Sequence, residues 1–472
     1  MNEAAMAMHP LALLPELSLL VGALVALLGG SFLEQHRQWV ARLAAVAALV
    51  VAGAAAAVAL AGDPQVVYAG TFTADRATGV VRLVVVAATL LVIGLGVDEL
   101  AGTPRESETY TLLLLSACGA MLLGGATDLL VLIVAFLLTS VPLYGLIGLS
   151  RTPSAAEATM KTYLLGALFG IVLMLGVTLL FGLAGGTTYR ELGAGLAAGP
   201  SAVVALGAVA VLAGLLFEAG AVPAHFWVPD AAQGASTTAA AFLTTVPKVG
   251  ALLATYRFVD VLPSGFRWAL VVGVIAVASM TLGNLSAFGQ SDVRRLLGWS
   301  TVSQVGYLLV AVAVAGRSDL AQPSLVLYLA GYAVTNLGAF AVVAAFPERR
   351  ELSAWQGLGR SSPALGAALL VCLLGLVGTP PAAVFTGKVT VSAAAWDGGQ
   401  AWLVVALLLN SVASLFYYLR WIAPVYAREL PVERSAGGAF VARPWAAAAA
   451  IAAAVTSVLL GVLAGAAWAV VG

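Results

Sequence analysis

A lysine lies in the middle of a hydrophobic stretch that is long enough to cross a membrane. Lys248 is about ten residues from both Thr238 and Arg257, which places it roughly 15 Å from either end of a helix. A charged lysine at the centre of a bilayer costs about 2.5 kcal/mol or more, so such a residue typically relays protons, forms an ion pair or lines a hydrated cavity. We predict a proton-relay role for Lys248, with a purely structural ion pair as the alternative.

Three further ionisable side chains are candidates for the same chemistry. Glu218 lies near the end of a hydrophobic segment that begins at Ser201, and the apolar residues that follow contain no other charge than that of His225. We therefore expect Glu218 to be buried, with an interfacial carboxylate as the alternative. Lys388 has apolar neighbours and follows a Pro-Pro pair. His225 titrates near neutral pH, which suits a proton relay, although a lone histidine is more often a structural hydrogen-bonding residue. The catalytic candidates are thus Glu218, Lys248, Lys388 and His225.

Other charges in or near apolar blocks favour structural roles. Glu16 follows Pro15 in the first block, where we expect a structural or helix-end role. Arg294 and Arg295 precede the block that begins at Leu296. Basic residues at the end of a membrane helix typically set its orientation and anchor it at the interface, and we expect that role here.

The sequence predicts no metal or redox site on this chain. Its two cysteines, Cys118 and Cys372, lie in separate apolar blocks, and it contains only three histidines. These are too few and too scattered for an iron–sulfur or zinc ligand set. Any redox centre that works with the chain is therefore expected on partner proteins. The formal net charge of zero, without a basic cluster, argues against nucleic-acid binding.

Membrane helices must position the relay candidates. The chain has 472 residues, of which 61% are hydrophobic and 9% charged, whereas soluble domains carry about a quarter charged residues. The apolar blocks are about 17 to 26 residues long, enough to cross the bilayer, and they lack the alternating pattern of a barrel. The fold class is therefore all-α, a polytopic membrane protein. About 14 spans begin near Leu11, Trp39, Ala77, Thr109, Leu129, Met160, Ser201, Thr238, Phe266, Leu296, Ala321, Ala364, Trp402 and Pro444.

The basic residues predict how these spans are oriented. With the spans numbered in chain order, loops after odd-numbered spans carry about twice as many Lys and Arg residues as the loops and ends on the other side. The positive-inside rule then places both termini on the extracytoplasmic side of the cell inner membrane.

Two long apolar segments contain helix-breaking residues in corresponding places. The first, in span 7, contains Pro223, and the second, in span 12, contains Gly378, Pro380 and Pro381. Proline removes a helical hydrogen bond, so we predict that both spans are discontinuous. Paired broken helices indicate internal repeats around an ion path. Since the breaks are five spans apart, we predict two inverted five-helix repeats, residues 109–258 and 266–426, within a single membrane domain of residues 1–472.

Several ordered motifs resemble a known family. They are Val222-Pro223-Ala224-His225-Phe226-Trp227-Val228-Pro229-Asp230 with Gly234-Ala235, Gly283-Asn284-Leu285, Arg294-Arg295-Leu296-Leu297-Gly298-Trp299-Ser300-Thr301, Gln304-Val305-Gly306-Tyr307, Asn336-Leu337-Gly338-Ala339-Phe340, Gly357-Leu358-Gly359, Pro380-Pro381, Gly387-Lys388 and Tyr417-Tyr418-Leu419-Arg420. In order and spacing they are similar to the antiporter-like membrane subunits of proton-pumping NADH:quinone oxidoreductase (respiratory complex I). Gly387-Lys388 and the chain length favour the subunit N branch.

The resemblance implies a function and partners. In that family a water-filled path of lysines and acids carries protons, and Lys248 and Lys388 fall on its relay lysines. The chain would be a translocase subunit that performs no redox chemistry itself. NADH, flavin, iron–sulfur clusters and quinone would bind to partner subunits, and other membrane-arm subunits would be its direct partners.

Two positions depart from the family pattern. Leu137 stands where the resemblance leads us to expect a glutamate in the fifth span, and Glu218 stands where it leads us to expect a lysine in the seventh. We predict that Glu218 and Lys248 replace the lost pair, as proton donor and acceptor in contact. A non-conducting structural subunit of the same complex is one alternative. A subunit of a multisubunit cation/proton antiporter or of a membrane hydrogenase is another.

Overall fold

A computed structural model describes residues 9–427 and 441–471 of the chain. Its first half contains the following helices and one hairpin of two short strands: α1 (Leu14–Phe32), α2 (Trp39–Leu60), β1 (Gln65–Val67), β2 (Phe72–Ala74), α3 (Arg76–Leu100), α4 (Glu106–Gly125), α5 (Leu129–Gly148), α6 (Pro153–Ala184), α7 (Tyr189–Gly195), α8 (Ser201–Ala219), α9 (Trp227–Gly234), α10 (Thr237–Leu243) and α11 (Val246–Asp260). The second half continues with α12 (Trp268–Phe288), α13 (Val293–Ala313), α14 (Ala321–Ala345), α15 (Leu358–Ser361), α16 (Pro363–Val377), α17 (Ala383–Asp397), α18 (Ala401–Tyr426), α19 (Pro444–Val462) and α20 (Ala464–Val471).

The predicted membrane architecture is confirmed. In the described part of the chain, 13 helical segments are long and apolar enough to cross a membrane. The interrupted pair α16–α17 supplies one more span between α14 and α18. The antiparallel β1–β2 hairpin, with Gln65 opposite Ala74 and Val67 opposite Phe72, is a small addition to the all-α prediction. Most of the predicted loop at residues 427–443 lies outside the described residues.

Spans 7 and 12 are interrupted where the sequence predicts. Span 7 consists of α8 and α9, and span 12 consists of α16 and α17. The first half-helix of each span ends at a glycine with positive φ, Gly220 at 80° and Gly378 at 91°, a conformation that costs glycine little. Span 8 is also interrupted, since α10 ends at Leu243 and α11 begins at Val246. The sequence analysis missed this third break.

Span 6 begins earlier than predicted. The sequence predicts its start near Met160, but α6 begins at Pro153. Thr152 caps this helix by accepting a hydrogen bond from the backbone N–H of Ala155, and proline suits the first helical position. Lys161 therefore lies on the third turn of a helix.

The interrupted span 8 lies at the centre of the molecule. The α10–α11 span is entirely buried, and α13 and α14 are almost entirely buried, whereas α1, α2, α6, α18 and α19 expose most of their apolar surface. Loops that follow odd-numbered spans meet on one side, where Glu99, Ser150 and Ser236 line common cavities. Loops that follow even-numbered spans meet on the other side, where Asp75 and Asp319 line a further cavity. Which side faces the cytoplasm stays a prediction, as does the inverted relation of the two repeats.

Candidate functional site

Lys248 is completely buried in the first turn of α11. Its Nζ donates a hydrogen bond of 2.8 Å to the backbone carbonyl of Glu218, which belongs to the last turn of α8. The ammonium also lies 4.3 Å from the centre of the Trp227 ring, at the start of α9. A Cβ at Gly220 would lie 3.6 Å from this Nζ, an ordinary van der Waals distance, but only 2.7 Å from a methyl group of Val228, so the glycine that ends α8 leaves room for α9. The broken span 7 thus surrounds the ammonium with neutral electron-rich groups.

The side chain of Glu218 is buried beside Lys248 but turns toward α5. Its Oε2 accepts a short hydrogen bond from the hydroxyl of Ser140, and its Oε1 has no hydrogen-bond partner among the described residues. No ion pair joins Glu218 to a basic side chain in the part of the chain that the structure describes. The predicted contact between ammonium and carboxylate is therefore wrong in its detail, since Lys248 binds the backbone carbonyl of the same residue.

The two departures from the family pattern have different surroundings. Leu137 has 39% of its surface exposed on the outer face of α5, whereas Ser140, one turn later, is buried. Residues three apart on a helix lie on neighbouring parts of its surface, so Ser140 occupies the inward position nearest to Leu137. The hydrogen bond between the hydroxyl of Ser140 and the carboxylate of Glu218 therefore joins α5 to α8.

Lys388 occupies a similar environment in span 12. Its Nζ donates hydrogen bonds of 2.9 Å to the backbone carbonyl of Val377 and 3.0 Å to the hydroxyl of Ser411. It lies 3.7 Å from the centre of the Tyr307 ring. A Cβ at Gly378 would lie 2.8 Å from Cδ of this lysine. Lys248 and Lys388 therefore each bind a carbonyl at the end of a half-helix and lie against the glycine that ends it.

A cluster of hydroxyl and amide groups lies beside the break in span 8. Asn336 donates hydrogen bonds of 3.1 Å and 2.8 Å to the hydroxyls of Thr244 and Thr245. The hydroxyl of Tyr332 binds the carbonyl of Thr244 at 2.6 Å and the hydroxyl of Thr301 at 3.2 Å. All these side chains are buried. They connect the start of α11, which carries Lys248, to α13 and α14.

One turn further along α13, Gln304 continues the polar groups toward span 12. Its amide nitrogen donates a hydrogen bond of 2.8 Å to the carbonyl of Leu376, and its oxygen accepts one of 2.7 Å from Tyr328. Lys248 and Thr245 are one helical turn apart, as are Thr301 and Gln304. Neither pair of side chains is joined by a hydrogen bond in the described part of the chain. We call the following buried side chains the polar axis: Ser140, Glu218, Thr244, Thr245, Lys248, Thr301, Gln304, Tyr328, Tyr332, Asn336, Lys388 and Ser411.

The sequence analysis missed the neutral members of the polar axis. A usable signal existed on α14, because Tyr328, Tyr332 and Asn336 recur at intervals of four residues and so share one helix face. Thr301 and Gln304 on α13 show the same kind of spacing. Ser140 gave no such signal, since a single serine in a membrane helix usually binds its own backbone.

His225 lies apart from the polar axis. It is buried between α8 and α9, and its ring is 4.3 Å from the ring of Phe226 and 5.5 Å from that of Trp299. Its Nδ1 has no hydrogen-bond partner among the described residues. The structure does not bring His225 into contact with Lys248 or Glu218, and both its relay role and the structural alternative stay predictions.

Glu16 forms an ion pair inside the membrane region. Its carboxylate accepts hydrogen bonds of 2.7 Å and 2.9 Å from Arg82 of α3, which also binds the carbonyl of Ala12 at 2.8 Å. Both charged side chains are almost completely buried. This geometry agrees with the structural role expected for Glu16.

Arg294 and Arg295 hold the second half of span 7 in addition to their expected position at a helix end. Arg294 donates hydrogen bonds of 2.9 Å and 2.6 Å to the carbonyls of Ala235 and Gln233. Arg295 pairs with Asp230 of α9 at 2.5 Å. The role of these arginines is thus wider than the anchoring that the sequence indicates.

Asp230 connects α9 to both predicted repeats. Its second oxygen accepts a hydrogen bond of 2.9 Å from Lys161 of α6, while Arg295 of α13 binds the first. Trp227, one turn before Asp230, lies over the ammonium of Lys248. The ion pairs in the first turn of α9 therefore fix the helix that carries this ring.

The described residues contain no group of three or more His, Cys, Asp or Glu side chains placed to hold a metal ion. Cys118 and Cys372 are both buried and unpaired. The absence of cofactors from this chain, and their location on partner proteins, stay predictions.

Known proteins share this architecture and sequence. The family described as NADH:quinone oxidoreductase/Mrp antiporter, TM, matches residues 126–414. A protein of Mycobacterium sp. (strain JLS) named NADH-quinone oxidoreductase subunit N is 56% identical over 462 residues, which cover 98% of each chain. NADH-quinone oxidoreductase subunit N 1 of Streptomyces griseus is 50% identical, with 96% of each chain covered. A chain of respiratory complex I from Thermus thermophilus with bound aureothin superimposes with a TM-score of 0.83 at 32% identity, over 97% of this chain and 100% of that one.

Proposed function

The chain belongs to the NADH:quinone oxidoreductase/Mrp antiporter family, as a homologue of subunit N, and we propose that it conducts protons in the membrane arm of such an oxidoreductase. NADH, flavin, iron–sulfur clusters and quinone would act on partner subunits, and the proton movement would be coupled to their electron transfer. The chain would lie in the cell inner membrane, with both termini on the extracytoplasmic side.

The observation that carries this proposal is the pair of buried lysines in equivalent surroundings. Lys248 and Lys388 each place an ammonium on a backbone carbonyl at a helix break, without a salt bridge among the described residues. A buried charge without a counter-ion is disfavoured. Purely structural ammonium groups would therefore weaken the fold, whereas groups that gain and lose a proton during a cycle have a reason to be there.

Glu218 supplies the charge that can control Lys248. Its carboxylate belongs to the residue whose carbonyl binds the ammonium. When that carboxylate is ionised, Coulomb attraction helps to hold the proton on the lysine, and this attraction is strong in a low-dielectric interior. When a proton arrives on Glu218, the attraction disappears and release from Lys248 toward Thr244, Thr245 and Asn336 becomes easier.

The test is proton pumping by variants of the intact complex in liposomes. Lys248→Met and Glu218→Gln are each expected to lower the number of protons pumped per NADH oxidised by about tenfold or more, while assembly is less affected. Thr255→Val on the same helix is the matched control, because the hydroxyl of Thr255 binds its own helix at the carbonyl of Ala251. Leu137→Glu, on the outer face of α5, should change pumping less than Glu218→Gln does.

A non-conducting structural subunit is the second candidate. The partnerless Oε1 of Glu218 and the outward Leu137 favour it, since neither position retains the charge pair that the family resemblance implies. Pumping that stays at the wild-type level in both Lys248→Met and Glu218→Gln would establish this candidate instead. The third candidate is a subunit of a multisubunit cation/proton antiporter or membrane hydrogenase. In that case, the proteins that co-purify with the chain should include no NADH-oxidising subunit.

A further inference from the structure

Two cavities meet at one carboxylate. Both lie on the side where the loops after odd-numbered spans meet, which carry most of the basic residues and which we call the side of the basic loops. Each has a volume of about 440 Å³, and Glu99, Ser150 and Ser236 line both. Since a water molecule takes about 30 Å³ in the liquid, each cavity has room for on the order of ten waters. The first cavity extends inward to Leu146 of α5 and Ala239 of α10.

Glu99 belongs to α3, which lies outside both predicted repeats and outside the residues matched by the family. One carboxylate oxygen accepts a hydrogen bond of 3.1 Å from the backbone N–H of Thr237. The other accepts bonds of 2.8 Å and 2.6 Å from the N–H and the hydroxyl of Thr238. Gly96, one turn earlier, permits this approach because a Cβ there would lie 2.6 Å from the Thr238 hydroxyl. The carboxylate is thus fixed between the cavities and the first turn of α10.

Both inner walls of the first cavity lead to the polar axis. Along α10, Ala239 is about 6 Å from Leu243, the residue before Thr244 of the polar axis, since a helix rises 1.5 Å per residue. Along α5, Leu146 is about 9 Å from Ser140, whose hydroxyl binds Glu218. The first cavity therefore ends within about two helical turns of the polar axis on either route.

We propose that Glu99 is the residue at which protons enter the chain from the side of the basic loops, and that the two cavities are its aqueous vestibule. The carboxylate of Glu99 takes a proton from vestibule water and passes it to a water further inside, on the way to Glu218. This second transfer regenerates the carboxylate of Glu99. No bond to carbon changes and no oxidant is needed. This inference rests on the proposed proton conduction.

The first test removes the proton-carrying ability of Glu99 in the intact complex. Glu99→Gln keeps one oxygen that can accept the hydrogen bonds of Thr238, loses the acceptor for the N–H of Thr237, and cannot carry a proton. We expect proton pumping per NADH to fall about tenfold or more, with assembly retained. Glu34→Gln is the matched control, because this exposed carboxylate in the loop after α1 is not among the residues that line either cavity. Equal pumping by Glu99→Gln and wild type would overturn the proposal.

A chemical rescue separates proton transfer from a merely structural contact. Glu99→Ala enlarges the cavities at the position of the carboxylate, so formate can occupy it. Formate should restore pumping in Glu99→Ala, whereas chloride at the same ionic strength should not. If formate and chloride have the same effect, Glu99 only holds α10 and the proposal fails.

The second test examines the vestibule without measuring pumping. The native thiols Cys118 and Cys372 are buried, so a water-soluble maleimide should label Ser236→Cys and leave the parent chain unlabelled. We expect labelling only when the side of the basic loops is accessible, and an unreactive Ser236→Cys would contradict the vestibule. If Lys248→Met stops pumping but Glu99→Gln does not, only this inference fails. If Lys248→Met also pumps normally, the proposed function itself fails.

Discussion

Breaking the ion pair between Glu16 and Arg82 should destabilise the chain more than any exposed substitution. The side chains are 4% and 0% exposed, and two hydrogen bonds of 2.7 Å and 2.9 Å join them. Glu16→Leu leaves the guanidinium without its counter-ion, and removing one partner of a buried pair costs about 3 to 5 kcal/mol. This corresponds to a change of roughly a hundredfold or more in the ratio of folded to unfolded protein. Arg82→Met should cost a similar amount, because it strands the carboxylate.

The double variant provides the control. In Glu16→Leu combined with Arg82→Met, no charge remains unpaired, and replacement of a buried pair by apolar residues is often neutral or stabilising by about 1 to 4 kcal/mol. The amount of assembled complex and its thermal dissociation temperature should therefore recover toward wild-type values. Because the pair lies outside the polar axis, assembled complex of every variant should pump normally. If the double variant is as unstable as the two single effects added together, the side chains act independently and the reasoning is wrong.

Three further predictions concern other contacts and the topology. Asp230→Asn removes the ion pairs that fix α9, so the position of Trp227 over Lys248 should become less defined and pumping should fall in the liposome assay, whereas added salt, which screens these pairs, should lower pumping by the wild type more than by the variant. Burial raises the pKa of Asp75, but the ion pair with Arg257 lowers it by more, so the pKa lies below its usual value. The stability from that pair is then present at neutral pH and lost as pH falls below about 4. In a series of thermal melts at different pH, Asp75→Asn should abolish this part of the pH dependence of the melting temperature. Reporter fusions at both termini should be active only outside the cytoplasm, and a cytoplasmic terminus would reverse the orientation.

The sequence predicted the features that depend on composition and on rare residues. Lys248 and Lys388 could be recognised because a charge inside an apolar span is costly and therefore conspicuous. The breaks in spans 7 and 12 could be recognised because proline and glycine have specific backbone effects. The break in span 8 was missed, since Pro247 lies in the first turn of α11, where proline is compatible with a helix.

The orientation of side chains could not be predicted in the same way. Whether Lys248 binds the carboxylate or the carbonyl of Glu218 depends on the rotation of α8 and on the left-handed residue Gly220 that ends it. The partner of the carboxylate, Ser140, comes from α5, and no local pattern indicates that contact. Such details arise from packing between helices that are distant in sequence.

The two broken spans differ in one respect that bears on how charge could move between them. Gly220 and Gly378 each precede a proline by three residues, so Glu218 in the first span corresponds to Leu376 in the second. A charged lysine binds the carbonyl of Glu218, whereas the neutral amide of Gln304 binds that of Leu376. In span 7, the acidic residue Glu218 carries the carbonyl that the base Lys248 binds. In span 12, the base Lys388 binds the carbonyl of Val377, which is one residue after Leu376. If protons move along the polar axis as proposed, Lys388 would be the base that accepts them in the second predicted repeat.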